Sequence, residues 1–176
     1  MARTKAHLKL DAKGLLYSST LSFLSAIEGA QGASFSWAIV KLYYSCFYAA
    51  RSILASNDAC IFYSGTKPYS INLAPGASPK KENGVTHKVV WTLFSREFPN
   101  NILLNDVDGM AAHAWMTRLR ETANYKNAKF PDPLVPEAFS FLDSSGVGAT
   151  LTAYHTDTVD LFTFDRDHAA VAFPMK

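Results

Sequence analysis

The stretch "SFSWAIVKLYYSCFYAARSILA", starting at Ser34, limits the possible folds more than any other part of the chain. Trp37, Val40, Tyr44, Phe47, Arg51 and Leu54 recur at alternating spacings of three and four, and Ile39, Tyr43, Cys46, Ala50 and Ile53 form a second apolar row. That period belongs to an α-helix. A helix apolar on two sides must be covered on two sides, so it is expected at the centre of a bundle, with Ser34 or Ser36 capping its start. Arg51 falls on the apolar stripe, where an unpaired charge is costly. It is expected either to pair with a carboxylate such as Glu121 or Asp108, or to face a phosphate.

Other helices flank this one. In "LDAKGLLYSSTLSFLSAIEG", Leu10, Leu16 with Tyr17, Leu21, Leu24 and Ile27 mark an amphipathic helix, with Gly29 and Gly32 as its stop. "THKVVWTLFSREF" predicts a helix capped by Thr86, closed by Pro99, and turning Val89, Val90, Leu93, Phe94 and Phe98 inward. "DVDGMAAHAWMTRLRETANYKNA" predicts another, ended by Pro131 and Pro133. Between the second and third helices, residues 57–85 hold Pro68, Pro75, Pro79, Gly65, Gly76 and Gly84, and read as a long loop. Beyond Pro136, Val147, Leu151, Tyr154, Thr158 and Phe162 fit a fifth helix, although "VDLFTF" also suits a strand. The expectation is an all-α, four- to five-helix up-and-down bundle in one domain, with a core over residues 9–130 and an acidic extension over 131–176.

The net charge of +2 hides an asymmetry. Residues 1–130 hold 15 Lys and Arg against 8 Asp and Glu, whereas residues 131–176 hold 2 against 7. A basic body favours phosphate-rich partners, and an acidic tail can shield it. No run reaches the roughly 18–20 apolar residues of a membrane span, and the charged "MARTKAHLKLDAKG" lacks the apolar core of a secretory signal. Cys46, inside the apolar helical pattern, reads as a buried free thiol. These features suit a cytoplasmic protein away from membranes. No Cys/His grouping has zinc spacing, and no Gly-rich loop precedes Lys-Ser or Lys-Thr, so neither a metal nor another cofactor is expected.

Three segments in order carry a family resemblance. "SWAIVKLYYSCFYAARSILA", with paired aromatics, an Ala-Ala step and an arginine, resembles the signature helix of HEPN domains. "THKVVWTLFSREF" looks like the family's next helix, and "RLRETANYK" resembles its final motif helix, which ends in an arginine, a short spacer and a small-polar-Tyr triplet. The resemblance implies a helical bundle that forms a homodimer through the 107–128 helix. It also implies a place in toxin–antitoxin or defence systems, with an antitoxin or a nucleotidyltransferase as partner. Catalytic members are metal-independent ribonucleases whose arginine is followed, four to six residues on, by histidine. Here Tyr125 fills that place after Arg120. A tyrosine near this motif is, in some pairs of the family, the target of nucleotidylation.

Metal-free cleavage of RNA by its own 2′-hydroxyl needs a base, an acid and a cation for the charge on phosphorus. Arginine supplies the cation, and histidine titrates where an acid or base is needed. Tyrosine, with a pKa of about 10, is a poor base but can stack on a nucleobase. On an ideal helix His113, Thr117, Arg120 and Asn124 share one face, so His113 could take over part of the missing histidine's task. Arg118, a candidate contact to RNA, and Tyr125 share another face. Lys80, Lys81, His87 and Lys88 form a basic rim suited to a phosphate backbone. The residues point to a non-catalytic or weakly catalytic module binding RNA or a partner protein. The alternative is an endoribonuclease toxin cleaving single-stranded RNA in a dimeric cleft around Arg120.

Overall fold

The computed structural model describes residues 2–101, 104–126, 139 and 146–176. Its first two helices are long: α1 spans Ala2–Gln31 and α2 spans Phe35–Ser56. Ser34 sits at the N-cap of α2, its carbonyl accepting the Ala38 N–H at 2.9 Å. Ala33, with φ 59°, makes the turn between the helices, and Gly29 lies inside α1 rather than ending it. Along α2, Ile39, Val40, Tyr43, Cys46, Phe47, Ala50 and Leu54 are all buried, so this helix is covered on two sides. Trp37, from the same periodic row, is exposed. Helix α1 turns its small residues inward: Ala12, Ser19, Ser22, Ala26 and Ala30 are buried with Leu8 and Ile27, whereas Leu10, Leu16, Tyr17, Leu21 and Leu24 are exposed.

The molecule is mostly helical but not all-α. The segment read as a long loop folds into an antiparallel sheet of β1 (Ala59–Ser64), β2 (Lys67–Asn72) and the short β3 (Lys80–Lys81), in the order β1-β2-β3. Ser64 pairs with Lys67 across the two-residue turn Gly65–Thr66. Gly65 takes φ 60° there, as a type II′ hairpin turn requires of its first central residue. "ACIFYS" has the β-branched and aromatic content of a strand. Pro68 and the later prolines hid that signal, because proline argues against a central strand. Pro68 is the second residue of β2, and its carbonyl accepts the Glu82 N–H at 2.9 Å, which ties β3 to the sheet.

Helix α3 (Thr86–Glu97) buries Val89, Val90, Trp91, Leu93 and Phe94. Its N-cap is Val85, without a side-chain cap; Thr86 instead bonds the Tyr63 hydroxyl at 2.6 Å. The helix expected over 107–128 is shorter. Asp106–Val107 (β4) and Met110–Ala111 (β5) form a hairpin closed by Asp108 and Gly109, with φ of 53° and 77°. Both central residues thus lie left-handed, the requirement of a type I′ turn and the reason for its Asp-Gly. Helix α4 (Ala112–Glu121) follows and passes into a π-helical turn over Thr122–Lys126. Toward the C-terminus come α5 (Val147–Thr156), α6 (Ala169–Ala172) and a 3₁₀ turn over Phe173–Met175. Residues 158–164 are neither helix nor strand.

The chain divides into two compact units, residues 1–20 with 47–101 and residues 21–46 with 102–176. Helices α1 and α2 contribute to both. In the first unit the core holds Leu8, Ala12, Leu54 and Ala55 together with the inward row of α3, and Ser52 donates to the Ala12 carbonyl at 2.8 Å. In the second, Tyr43, Val107, Trp115, Met116 and the run Ala169–Phe173 are buried, and Phe35 stacks on Phe139 at 5.6 Å. The Tyr154 hydroxyl meets His168 Nδ1 at 2.9 Å beside the Phe162 ring. Burial, then the nearby Asp165 charge, pushes this phenol's pKa above the usual tyrosine range, which suits a packing role.

Candidate nucleic-acid interface

The residues singled out by the motif lie on α4 and its π turn. Arg120 is largely buried, its side chain only 14% exposed. Its guanidinium carbon lies 4.7 Å from the ring centroid of fully buried Tyr43, and its Nη2 reaches Glu121 Oε1 at 3.3 Å. Nε is buried without a hydrogen-bond partner among the described residues. A desolvated cation–π contact stabilises by about 2 kcal/mol. Arg120 is therefore committed to packing, with its adjacent carboxylate set against any phosphate.

His113, half-buried in the first turn of α4, shares a helix face with Thr117 and Arg120, and Thr117 Oγ1 donates to the His113 carbonyl at 2.8 Å. Asn124 leaves that alignment, because it sits in the π turn, where hydrogen bonds run i→i+5 and the residues per turn rise above 3.6. Arg118 is exposed in the last turn of α4, where a cation favours the helix dipole. The Tyr125 side chain lies outside the described residues.

In the other unit, the sheet presents two different faces. Ala59, Pro68 and Ser70 are buried on one side. There Ser70 Oγ donates to Glu82 Oε1 at 2.6 Å, and Arg96 bonds Glu82 at 2.9 Å and Ser70 at 3.1 Å. Burial alone would raise the pKa of Glu82, but the Ser70 and Arg96 hydrogen bonds and the charges of Arg96 and Lys80 hold it below the usual carboxylate range. This network anchors β2, the end of β3 and α3 to one another.

On the opposite face the pairing register sets Phe62 across from Tyr69, and Tyr69 across from Lys81. The two rings stack, with centroids 5.7 Å apart and planes 17° from parallel. Phe62, Lys67 and Lys81 are exposed, and Lys67 stands on the same face opposite Ser64. The result is a row of two aromatic rings and a cation with a second cation near the turn. Lys80, one residue along, pairs with Ser70 on the anchored side but remains exposed at the end of its short strand. Lys88 is exposed and lies over Gly84, whose φ of 114° suits glycine. His87 is half-buried against Phe47, with centroids 4.5 Å apart, and is held by packing. Of the expected basic rim, Lys80, Lys81 and Lys88 are surface charges. Phe62, Tyr69 and Lys67 escaped the sequence reading, and the missed signal was the alternation of "ACIFYS" and "KPYSIN" around Gly65.

Arg51 makes no ion pair among the described residues, so the expected partnership with Glu121 or Asp108 is absent. Its guanidinium lies 5.8 Å from the Phe47 ring and lines a cavity of about 420 Å³ with Leu8, Asp11, Leu54 and Cys60. Burial, then the Asp11 charge, raises the Cys60 thiol pKa and makes it a weak nucleophile. Burial does the same to Cys46. Among the described residues no group of three or more His, Cys, Asp or Glu side chains could hold a metal ion, and no helix is long and apolar enough to cross a membrane. No protein-family model matches the chain, and comparisons with curated proteins and with solved structures returned no match.

Proposed function

We propose that the chain is a non-catalytic module that binds single-stranded RNA on the exposed face of its three-stranded sheet. The observation that carries this reading is the register-aligned row Phe62, Tyr69 and Lys81, with Lys67 on the same face. Aromatic faces accept any nucleobase by stacking, and neighbouring lysines follow the phosphates. The anchored reverse side keeps the rings in place without using them. Resemblance of three helical segments to HEPN domains supports a HEPN-type helical frame around this sheet, and with it a role beside an antitoxin or nucleotidyltransferase. The ribonuclease alternative requires a cation at the scissile phosphate, and the packing of Arg120 on Tyr43 weighs against it.

Fluorescence anisotropy with a labelled single-stranded RNA of about a dozen nucleotides tests this reading, since one folded domain of this size engages roughly 4–16 nucleotides. Saturable binding that weakens with salt is expected, with the RNA intact afterwards. An RNA affinity unchanged in Phe62→Ala/Tyr69→Ala would sink the proposal.

A further inference from the structure

Helix α1 carries apolar residues on two opposite faces. Its buried face is made of Leu8, Ala12, Ser19, Ser22, Ala26 and Ala30. Diametrically opposite, Leu10, Gly14, Tyr17, Leu21 and Leu24 fall within an arc of about 80° at 100° per residue. These large side chains stand in solvent, with Leu10 and Tyr17 each 66% exposed, Leu24 52% and Leu21 45%. Their spacings of four, three, four and three make the 3.5-residue period of a coiled-coil seam. Leu16 lies off this seam and belongs to neither face.

The seam continues to Arg3 and His7 before it and to Glu28 after it, all exposed. A parallel partner would set Arg3 against Arg3 and Glu28 against Glu28. An antiparallel partner removes both repulsions, and one register satisfies every position. Arg3 then faces the partner's Glu28, His7 faces Leu24, Leu10 faces Leu21 and Gly14 faces Tyr17. Gly14 has nothing within 4 Å of where a β-carbon would stand, so the slot opposite the tyrosine ring is open. The same glycine and Leu10 also border the cavity beside Arg51, which leaves room for that ring.

We propose that the outer face of α1 binds the same face of a second copy of this chain, antiparallel, with Tyr17 of each copy seated over Gly14 of the other. Four large side chains per copy fall short of the roughly 800 Å² per partner of a standard interface, so the dimer is expected in the micromolar range. This surface is distinct from α4 and from the RNA-binding face, and the proposal stands or falls independently of both.

Sedimentation equilibrium of the full chain, from about 1 to 500 µM, provides the test. A monomer–dimer equilibrium is expected. Tyr17→Glu/Leu21→Glu should leave only monomer with an unchanged far-ultraviolet dichroism spectrum, because both positions are exposed. Arg3→Glu should weaken association about fivefold to tenfold, and Arg3→Glu/Glu28→Arg should restore it. In a Cys60→Ser background, Leu10→Cys/Leu21→Cys should form an intermolecular disulfide on mild oxidation, whereas Leu21→Cys alone should not. A wild-type chain monomeric throughout overturns the proposal, as does a dimer that survives Tyr17→Glu/Leu21→Glu. Cross-linking by Leu21→Cys alone overturns the antiparallel register.

Discussion

The sheet over residues 59–81 and the helical segment over 112–126 are both rich in cations and aromatic residues, yet they use them in opposite ways. In the helical segment, Arg120 sits on the buried Tyr43 ring and its polar atoms are largely withdrawn from solvent. On the sheet, exposed Phe62 stacks on half-buried Tyr69, with exposed Lys81 across from Tyr69 on the other side. A cation next to an aromatic ring is thus packing in one place and a candidate surface in the other. Which side of the ring the chain covers decides between them.

The largest effect is expected at the rings themselves. Phe62→Ala/Tyr69→Ala should weaken RNA binding about a hundredfold, since each stacked base contributes about 1–3 kcal/mol. Titration by anisotropy, with melting followed in parallel, separates this from unfolding. Arg120→Ala should instead lower stability by about 2 kcal/mol in urea denaturation, through loss of its contact with Tyr43. The RNA affinity of its folded fraction should not change; a fall in affinity at full stability would give the motif helix back its role. Glu82 provides a pH test. Its folded-state pKa is depressed, so its contribution is present above the unfolded value of about 4.3 and is lost as pH falls through the folded value. Glu82→Gln should therefore destabilise at neutral pH and flatten the acid limb of a stability–pH curve. The smallest effect is expected from Lys67→Ala or Lys81→Ala, each lowering the slope of log affinity against log salt by about 0.7.

Helices α2 and α3 were legible because a 3.6-residue pattern with buried partners on one or two sides survives translation into structure. Helix α1 was legible as a helix but not in its orientation. Leu10, Tyr17, Leu21 and Leu24 outweigh Ala12, Ser19, Ser22 and Ala26 on any hydropathy reading, yet the small residues are the buried ones. Close packing rewards fit, and a helix with alanine and serine on one face can approach its neighbours more closely there. The two hairpins were missed for a different reason. Pro68 sat where a strand was to be recognised, and Asp108-Gly109 joined short strands inside a run that kept helical spacing. Of the candidate site, Lys80, Lys81 and Lys88 were found by charge alone, but the rings beside Lys81 were invisible until β1 and β2 were paired.

Local periodicity and composition were enough for a mostly helical chain, for its doubly covered α2 and for a basic body ahead of an acidic end. Those properties depend on neighbours a few residues apart. Tertiary structure alone decided that Arg120 packs while Phe62 stands exposed beside half-buried Tyr69, and that α1 shows its larger face to solvent. Such outcomes depend on which distant residues arrive to cover a side chain: Tyr43 reaches Arg120 from 77 positions away, and Glu82 holds Ser70 from 12. Residue type sets what a side chain can do, and its cover in the fold selects which of those things it does.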